Sequence, residues 1–342
     1  MINNPRRAGT PPCAPIWHTR AHVPAWPPFR PAATPDRGTS VTPPRISFSG
    51  LADTLRTLPQ YALPQHALSR LVYRVTRSRR RWLKDALIRW FARRYRVDLG
   101  EARYPDPAAY LDFNSFFIRA LRPGARPLPA DAQALLAPAD GRLSEFGSLE
   151  GERLLQAKGR RYSVVELLGG SERRAAPFRD GAFLTVYLAP RDYHRVHMPC
   201  PGTLTESVYL PGTLFSVSES TTRAVPRLFA RNERVVSVFE TPAGPMALVL
   251  VGAMLVGFIE TAWGGPGSYP YGRRERLRRE EHARVRLAAG AEMGRFGMGS
   301  TVIVIFPRGR VQWDETLQNG AAVRVGMPVG RLTPGAKEAE RS

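Results

Sequence analysis

Apolar and polar residues follow two different periods along this chain, and the change lies near residue 105. Before that point, apolar residues recur at helical spacing in two stripes: Leu68, Leu71, Val72 and Val75, then Leu83, Ala86, Leu87, Trp90 and Phe91. This spacing predicts two amphipathic helices between residues 50 and 98. After residue 105, short runs of Val, Leu, Ile and Phe are bounded by Gly, Pro and Asp, which is typical of strands.

Several stretches after residue 105 predict individual elements. "GAFLTVYLAPRDY" predicts a strand and a turn, and "ERVVSVFETPAGPMALVLVG" predicts two strands separated by Pro-Ala-Gly-Pro. "MALVLVGAMLVGFIE" is too short to cross a membrane comfortably, and Gly252 and Gly257 divide it, so it too predicts two buried strands. We expect "AAVRVGMPVGRL" to form a closing hairpin and residues 108–121 to hold a short helical stretch. The predicted fold class is α+β, with N-terminal amphipathic helices before a predominantly antiparallel, barrel-like or sandwich-like β domain.

Composition divides the chain into four segments. Residues 1–48 are rich in Pro, Arg, Ala and Thr without an apolar period, which predicts disorder and also fits an over-long gene start. Residues 49–104 are predicted to form a basic helical region, residues 105–334 a β-rich domain, and residues 335–342 a flexible tail. The N-terminus lacks the continuous apolar segment of a secretory signal.

The net charge of +21 indicates an acidic partner, either a nucleic acid or an anionic membrane surface. Nearly all basic residues are arginine, a bias that coding composition alone can produce, so clustering is better evidence than the count. The densest cluster, residues 79–81, lies between the two predicted helices. Basic amphipathic helices bordered by Trp and Tyr suit a surface-lying membrane anchor. They also suit helices that dock on the protein's own core, and the sequence leaves both interpretations open.

Two cysteines, Cys13 and Cys200, lie far apart and predict neither a disulfide framework nor a zinc site. Three motifs interrupt the predicted strands: Asp140 in "APADGRLSEFG", His194 and His197 in "PRDYHRVHMPCPG", and Ser300 in "EMGRFGMGSTVIVIF". Each motif alone has a structural explanation, such as a hairpin turn for Asp-Gly. Together they offer a nucleophile, a base and a residue that orients the base. No further metal ligand lies at conventional spacing from the histidines.

The motifs resemble, in order, those of the phosphatidylserine decarboxylases of the bacterial membrane-associated type. The matching stretches are "PADG", "QAKG" followed by "YS", "RDYHRVHMP", "PGTLFSV", "LFARNERV", "VGAMLVGFIET" and "EMGRFGMGSTVIVIF". The resemblance runs from about Leu51 to Leu332, and "RDYHRVHMP" is its most specific block. One position departs from the family's usual Leu-Gly-Ser-Thr: Met298 replaces leucine, a change that conserves volume and apolarity.

The resemblance implies that the chain cleaves itself between Gly299 and Ser300, giving a β chain that ends at Gly299 and an α chain that begins at residue 300. Ser300 then becomes a covalent pyruvoyl group, which forms a Schiff base with phosphatidylserine and takes up electrons as CO2 leaves, the role that pyridoxal phosphate has elsewhere. We expect His197 to be the base for cleavage, held in orientation by Asp140. His194 is expected to reprotonate the product. No metal and no pyridoxal phosphate are expected.

The implied partners are the phosphatidylserine substrate, an anionic phospholipid membrane, and the α and β chains of one precursor. The expected location is peripheral, on the cytoplasmic side of the cell membrane, with no nucleic acid bound and a homodimer left open. Arg195 could bind the lipid phosphate or lie solvated. Two alternatives remain: a hydrolase using Asp140, His197 and Ser300, which lacks a G-x-S-x-G elbow, and a basic nucleic-acid-binding protein. Only the decarboxylase requires a split chain.

Overall fold

A large antiparallel sheet forms the centre of the protein, as the pattern beyond residue 105 predicts. The computed structural model describes residues 53, 57–157, 160–254, 258–264, 269–270, 278–280, 285–297 and 300–333. The helices are α1 (Pro59–Ala62), α2 (Gln65–Thr76), α3 (Arg81–Tyr95), α4 (Phe113–Phe117), α5 (Val164–Leu167), α6 (Glu172–Ala175), α7 (Glu219–Ala224) and α8 (Leu228–Arg231), with 3-10 turns at Pro107–Ala109 and Ala176–Phe178. The predicted segments 1–48 and 335–342 and the predicted cleavage residue Gly299 lie outside the described residues.

The described strands fall into four sheets. They are β1 (Ala134–Leu136), β2 (Gly141–Ser148), β3 (Arg153–Ala157), β4 (Arg160–Ser163), β5 (Ala182–Leu188), β6 (Arg195–His197), β7 (Gly202–Leu210), β8 (Arg234–Thr241), β9 (Gly244–Gly252), β10 (Phe258–Thr261), β11 (Tyr269–Pro270), β12 (Arg278–Glu280), β13 (Arg286–Leu287), β14 (Glu292–Phe296), β15 (Ser300–Phe306), β16 (Val311–Trp313), β17 (Ala322–Val323) and β18 (Pro328–Leu332). The fold class is α+β, as predicted. The strands do not close into a barrel in the described part of the chain.

The main sheet has the order β12-β7-β8-β9-β15-β5-β2-β17, and β13 also pairs with β7. β15 lies in its middle and pairs with β5 on one side and β9 on the other. Both faces of β15 are covered, because Val302 and Val304 belong to one hydrophobic core and Ile303 and Ile305 belong to a second. Burial on both faces explains why "TVIVIF" is a continuous apolar run instead of an alternating one. The two predicted strands around Pro-Ala-Gly-Pro are β8 and β9, which pair as a hairpin.

One predicted hairpin is absent from the described pairings, and two other turn-rich stretches also join strands of different sheets. The predicted closing hairpin is wrong, because β17 pairs with β2 while β18 pairs with β1 and β16. The turn at Asp140 joins β1 and β2, which belong to different sheets. The glycine-rich stretch before Ser300 joins β14, which pairs with β10 and β6, to β15. Each stretch is therefore a crossing between sheets, and local turn residues do not distinguish a crossing from a hairpin.

The N-terminal helices use only part of their apolar surface for packing. α3 buries Ile88 and Phe91 against the aromatic side chains of α4, while Trp82 and Trp90 are exposed. In α2, Leu71 and Val75 of the predicted stripe are exposed as well. No helix in the described ranges is both long enough and apolar enough to span a bilayer.

Helix α1 and the start of α2 contact the loop that follows β7. The Gln60 side chain accepts a hydrogen bond from the Ser216 amide at 2.9 Å, and the Gln65 side chain accepts one from the Leu214 amide at 2.9 Å. The Tyr61 ring lies 4.9 Å from the ring of Phe215, measured between centroids. The helical region is thus joined to the β domain by polar and aromatic contacts.

Candidate active site

Ser300 is the first residue of β15, and its position follows from the strands on either side. It pairs with Leu188 at the end of β5 and with Gly252 at the end of β9. Because antiparallel neighbours end where β15 begins, the segments that leave β5 and β9 emerge around Ser300. The serine is fully buried. Met298 and Gly299 lie outside the described residues, and so does the peptide bond that is predicted to break.

The hydroxyl of Ser300 has no hydrogen-bond partner among the described residues. A buried hydroxyl without a partner costs about 1–3 kcal/mol, and native proteins keep few of them. The cost is compatible with the fold because the strand beyond Ser300 is buried on both faces. An unengaged hydroxyl at this point remains available for attack on a neighbouring carbonyl.

His194 lies between β5 and β6 and is fully buried. Its Nδ1 lies 2.8 Å from the carbonyl oxygen of Asp192, which can only accept, so Nδ1 donates and Nε2 carries a lone pair. That Nε2 is without a partner in the described part of the chain. The ring of Phe117 lies 4.1 Å away between centroids, and burial lowers the pKa of His194 to about 3. His194 is therefore a neutral imidazole with one open acceptor.

His197 is the last residue of β6 and has a partner at each ring nitrogen. Nδ1 donates to the Gly290 carbonyl at 2.7 Å, and Nε2 accepts from the Tyr193 hydroxyl at 3.1 Å. Burial lowers the pKa of His197, while the nearby charges of Glu292 and Asp140 act in the opposite direction. The two histidines of the motif thus share one tautomer but differ in whether Nε2 is occupied.

Asp140 lies just before β2, and its carboxylate is held by Arg126 and by the backbone of Val325. The Arg126 Nε donates to Asp140 at 3.0 Å, its Nη2 donates to the second oxygen, and the Val325 amide donates at 2.8 Å. Asp140, which we expected to hold His197 in orientation, makes no direct hydrogen bond to it in this structure, because both His197 nitrogens have other partners. Asp140 influences His197 through its charge.

Arg195, a predicted phosphate ligand, points its guanidinium at protein groups. Nε donates to the Ile118 carbonyl at 2.9 Å, and Nη1 forms an ion pair with Glu292 at 2.8 Å. Glu292 is also the residue paired with His197 across β14 and β6. In this structure Arg195 therefore connects α4 to the sheet that carries His197.

A cavity of about 270 Å³ borders Asp140, whereas Ser300, His194 and His197 are not among its lining residues. Its lining includes Asp140 from the turn before β2 and Asp192 and Tyr193 from the segment after β5. Sequence reasoning missed Arg126 and Tyr193 as neighbours of the predicted residues. The signal for Tyr193 was its place beside the histidine motif, whereas nothing local distinguishes Arg126 from the other arginines. Within the described ranges, no three His, Cys, Asp or Glu side chains are grouped so as to hold a metal ion.

Comparison with known proteins gives consistent matches. The family model described as phosphatidylserine decarboxylase matches residues 113–331, and a second model, described as PSD, matches residues 55–96. The chain is 54% identical over 275 residues to the phosphatidylserine decarboxylase proenzyme of Ectopseudomonas mendocina, covering 80% of this chain and 96% of that protein. The proenzyme of Pseudomonas fluorescens is 53% identical over 281 residues, or 82% and 98% of the two chains. The proenzyme of Nitrosococcus oceani is 54% identical over 284 residues, or 82% and 92%.

Proposed function

The chain belongs to the phosphatidylserine decarboxylase family, and on that premise we propose that Ser300 is the residue from which its catalytic group is made. The protein is an enzyme that decarboxylates phosphatidylserine to phosphatidylethanolamine in phospholipid biosynthesis, and it is made as a proenzyme. The observation that carries the proposal is the Ser300 hydroxyl, fully buried at the start of a central strand and without a partner among the described residues. A serine held in this way fits the precursor of a small, buried pyruvoyl group.

Cleavage begins at the Ser300 hydroxyl. Its oxygen adds to the Gly299 carbonyl, the peptide C–N bond breaks, and the amine of residue 300 leaves with a proton, so that an ester replaces the amide. A base then removes the proton on the α-carbon of residue 300, and the ester oxygen leaves from the β-carbon with the electron pair. The β chain ends in the Gly299 carboxylate. Addition of water to the remaining unsaturated residue releases ammonia and leaves the ketone of the pyruvoyl group.

His197 is the base in this proposal, and the charges around it support the choice. A general base works best when its pKa lies near the working pH. Burial lowers the pKa of both histidines, to about 3 at His194, but the charges of Glu292 and Asp140 oppose that shift at His197, whereas the charge of Arg119 adds to it at His194. Asp140 thus favours cleavage through its charge on His197, and Arg126 and Val325 hold its carboxylate in place.

When present, the pyruvoyl group supplies a carbonyl that bonds to the substrate amine and takes up the electron pair released as CO2 leaves. His194 handles the proton in this proposal. The open Nε2 of its neutral imidazole is the position from which a proton is relayed to the α-carbon after CO2 has left. The apolar ring of Phe117 against His194 excludes water from that side.

We also propose that the region of α1 to α3 binds the surface of an anionic membrane, on the cytoplasmic side. Trp82 and Trp90 are 70% and 56% exposed, which favours an interfacial role over one confined to the protein core. Replacing Arg79, Arg80 and Arg81 with Glu should release the protein from vesicles that contain anionic lipid. A matched control with Glu at the exposed Arg160, Arg173 and Arg308 makes the same change in net charge. Equal release by both variants would contradict a local membrane site.

A denaturing gel tests the central proposal. Wild-type protein should split into chains of 299 and 43 residues, and Ser300→Ala should stay whole and inactive. The small chain should resist Edman degradation because a pyruvoyl terminus has no amine, and borohydride should abolish activity by reducing the ketone. Ser300→Cys should split slowly, since a thiol also supports the acyl shift. Decarboxylation by a chain that remains whole would falsify the assignment of Ser300.

Alanine variants distinguish the roles of the two histidines, because each variant should block a different step. His197→Ala should remain whole, because no base then activates Ser300. His194→Ala should still split, at least in part, but should lose most decarboxylase activity. The reverse pattern, with His194→Ala whole and His197→Ala split, would exchange the two roles.

A further inference from the structure

Arg119 is a buried cation that the proposed chemistry leaves unused. It follows α4 and is only 5% exposed, and its Cζ lies 5.7 Å from the centroid of the Phe116 ring. Its Nη2 donates to the Arg191 carbonyl at 3.3 Å, its Nε is buried without a partner, and no carboxylate of the described residues lies in ion-pair distance. Burial lowers the pKa of this guanidinium. A buried charge without a counter-ion is costly, and buried charges in proteins are normally paired, so a ligand that pairs with this one would recover the cost.

The carboxylates of the cavity that lie near Arg119 already have other partners. Six arginines and four carboxylates line it: Arg96, Arg119, Arg126, Arg142, Arg191 and Arg324, with Asp98, Glu101, Asp140 and Asp192. Arg126 is bound to Asp140 and Glu101, and Arg324 is bound to Glu101. Asp192 accepts from the Ala189 amide at 2.7 Å and lies 3.7 Å from Arg191. The cavity therefore has an excess of positive charge, and Arg119 is its most buried arginine without a carboxylate partner among the described residues.

The position of Arg119 places this excess charge beside the candidate active site. The ring of Phe117, two residues earlier, packs against that of His194 at an interplanar angle of 46°, and the charge of Arg119 contributes to the lowered pKa of that histidine. Asp140 and Tyr193 line the same cavity, and its lining residue Ala189 follows Leu188, the residue paired with Ser300. The lining also includes Arg96, which caps the C-terminal end of α3. The cavity is thus bordered both by the end of the proposed membrane-binding region and by Asp140 of the candidate site.

We propose that Arg119 binds the phosphodiester of the phosphatidylserine headgroup in this cavity. The inference rests on the proposed function. The substrate carries two anionic groups, a phosphodiester and the carboxylate that leaves as CO2. A cation on the carboxylate would stabilise the ground state and lose that contact as the charge departs, whereas the phosphodiester keeps its charge throughout. A guanidinium also matches two phosphate oxygens with its parallel N–H groups.

Arg195, the residue that the sequence suggested for this contact, has Glu292 and the Ile118 carbonyl as partners. Arg119 has an open Nε and a place in the cavity lining. The phosphate role therefore suits Arg119 better than Arg195.

Steady-state kinetics of Arg119→Gln in detergent micelles containing phosphatidylserine test the proposal. The variant should still split, which reports folding and maturation, and its KM should rise about 10- to 100-fold with a smaller change in kcat. Arg119→Lys keeps the charge but not the planar guanidinium, so its KM should lie between those of the wild type and Arg119→Gln. Arg122→Gln is the matched control, because Arg122 is exposed three residues away and is not part of the cavity lining. It should behave as the wild type does.

Inhibition by added phosphatidylethanolamine distinguishes the two anionic groups, because the product keeps the phosphate and lacks the carboxylate. Its inhibition constant should rise in Arg119→Gln by a factor similar to that for KM. Inorganic phosphate should inhibit the wild type more than the variant if a free phosphate can fill the same subsite. A higher KM with unchanged inhibition by phosphatidylethanolamine would assign Arg119 to the carboxylate and overturn the proposal.

Unchanged KM in a split Arg119→Gln protein would overturn the proposal as well, while leaving the proposed function intact. If the Gln variant does not split, the comparison passes to Arg119→Lys. A split Lys variant with wild-type KM and wild-type inhibition then contradicts recognition by a guanidinium. A wild-type protein without decarboxylase activity would instead contradict the proposed function.

Discussion

His194 should make the stability of the uncut chain fall in mild acid, and its replacement should remove that dependence. The side chain is fully buried, and burial lowers its pKa from the ordinary 6.5 to about 3. The folded pKa lies below the unfolded one, so the unfolded chain binds the proton first as the pH falls. The stability contributed by a neutral His194 is therefore fully present above the unfolded pKa and is lost progressively toward the folded pKa.

The magnitude follows from the distance between the two pKa values. Each pH unit between them changes the free energy of unfolding by about 1.4 kcal/mol. Acidification from about pH 7.5 to about pH 5 includes roughly one and a half pH units below the pKa of histidine in the unfolded chain. Protonation of His194 in the unfolded chain should therefore lower the free energy of unfolding by about 2 kcal/mol. The result holds for any folded pKa below about 4, because His194 then stays neutral in the folded chain at both pH values.

Urea unfolding at the two pH values measures this loss in a Ser300→Ala background, which should keep the chain whole. The proposed variant is His194→Gln, which cannot titrate. Its absolute stability will change with the lost contact to Phe117, so the informative quantity is the difference between the two pH values. That difference should shrink by about 2 kcal/mol relative to the parent. His197 and Asp192 are present in both proteins, so their titration cancels to first order. An unchanged difference would refute the burial argument for His194.

Three further changes test the packing around the site. Arg126→Met leaves Asp140 buried without its cation and should cost about 3–5 kcal/mol in the urea-derived free energy of unfolding; no measurable loss would contradict the buried pair. Gly141→Ala places a Cβ 2.2 Å from the Tyr187 carbonyl oxygen, so strand β2 must shift and self-cleavage should slow on a timed gel; normal cleavage would show that the strand tolerates the shift. Ile303→Ala empties a fully buried position in β15 and should cost about 2–5 kcal/mol by the same urea assay, whereas a loss below about 1 kcal/mol would mean that the core closes over the gap.

The main sheet was predictable because its strands carry their signal locally. β8 and β9 are apolar runs on either side of Pro-Ala-Gly-Pro, and β15 is a continuous apolar run after a glycine-rich stretch. Pairing between distant strands has no such local signal. The sequence "AAVRVGMPVGRL" fits a hairpin by composition, yet β17 pairs with β2, about 180 residues away in the chain, and β18 pairs with β1, about 195 residues away, and with the nearer β16. Turn residues indicate where a chain bends, while the partner of each strand is decided by the packing of the whole sheet.

Ser300 was predictable for the same reason, whereas its polar surroundings were not. Gly-Ser before a buried strand is visible in the sequence, and the histidine motif is too. The partners of Asp140 come from Arg126 and Val325, fourteen and 185 residues away. In a chain with 50 basic residues, nothing in the sequence marks Arg126 as the one that reaches Asp140. The motif order made His197 a reasonable expected partner of Asp140. In the structure, however, the two ring nitrogens of His197 are bonded to Gly290 and Tyr193.

Three polar atoms near the candidate site lack partners among the described residues: Ser300 Oγ, His194 Nε2 and Arg119 Nε. Each costs about 1–3 kcal/mol when buried, so together they approach the whole stability of many domains. The strand that begins at Ser300 can offset such a cost, since its next six residues are buried and residues 302–306 lie in the two cores. Other buried groups, such as the Thr185 hydroxyl, also lack partners in the described residues, so the absence of a partner does not by itself mark a site. In the roles proposed above, the three atoms are a nucleophile, a proton acceptor and an anion ligand that become satisfied during cleavage and when substrate binds.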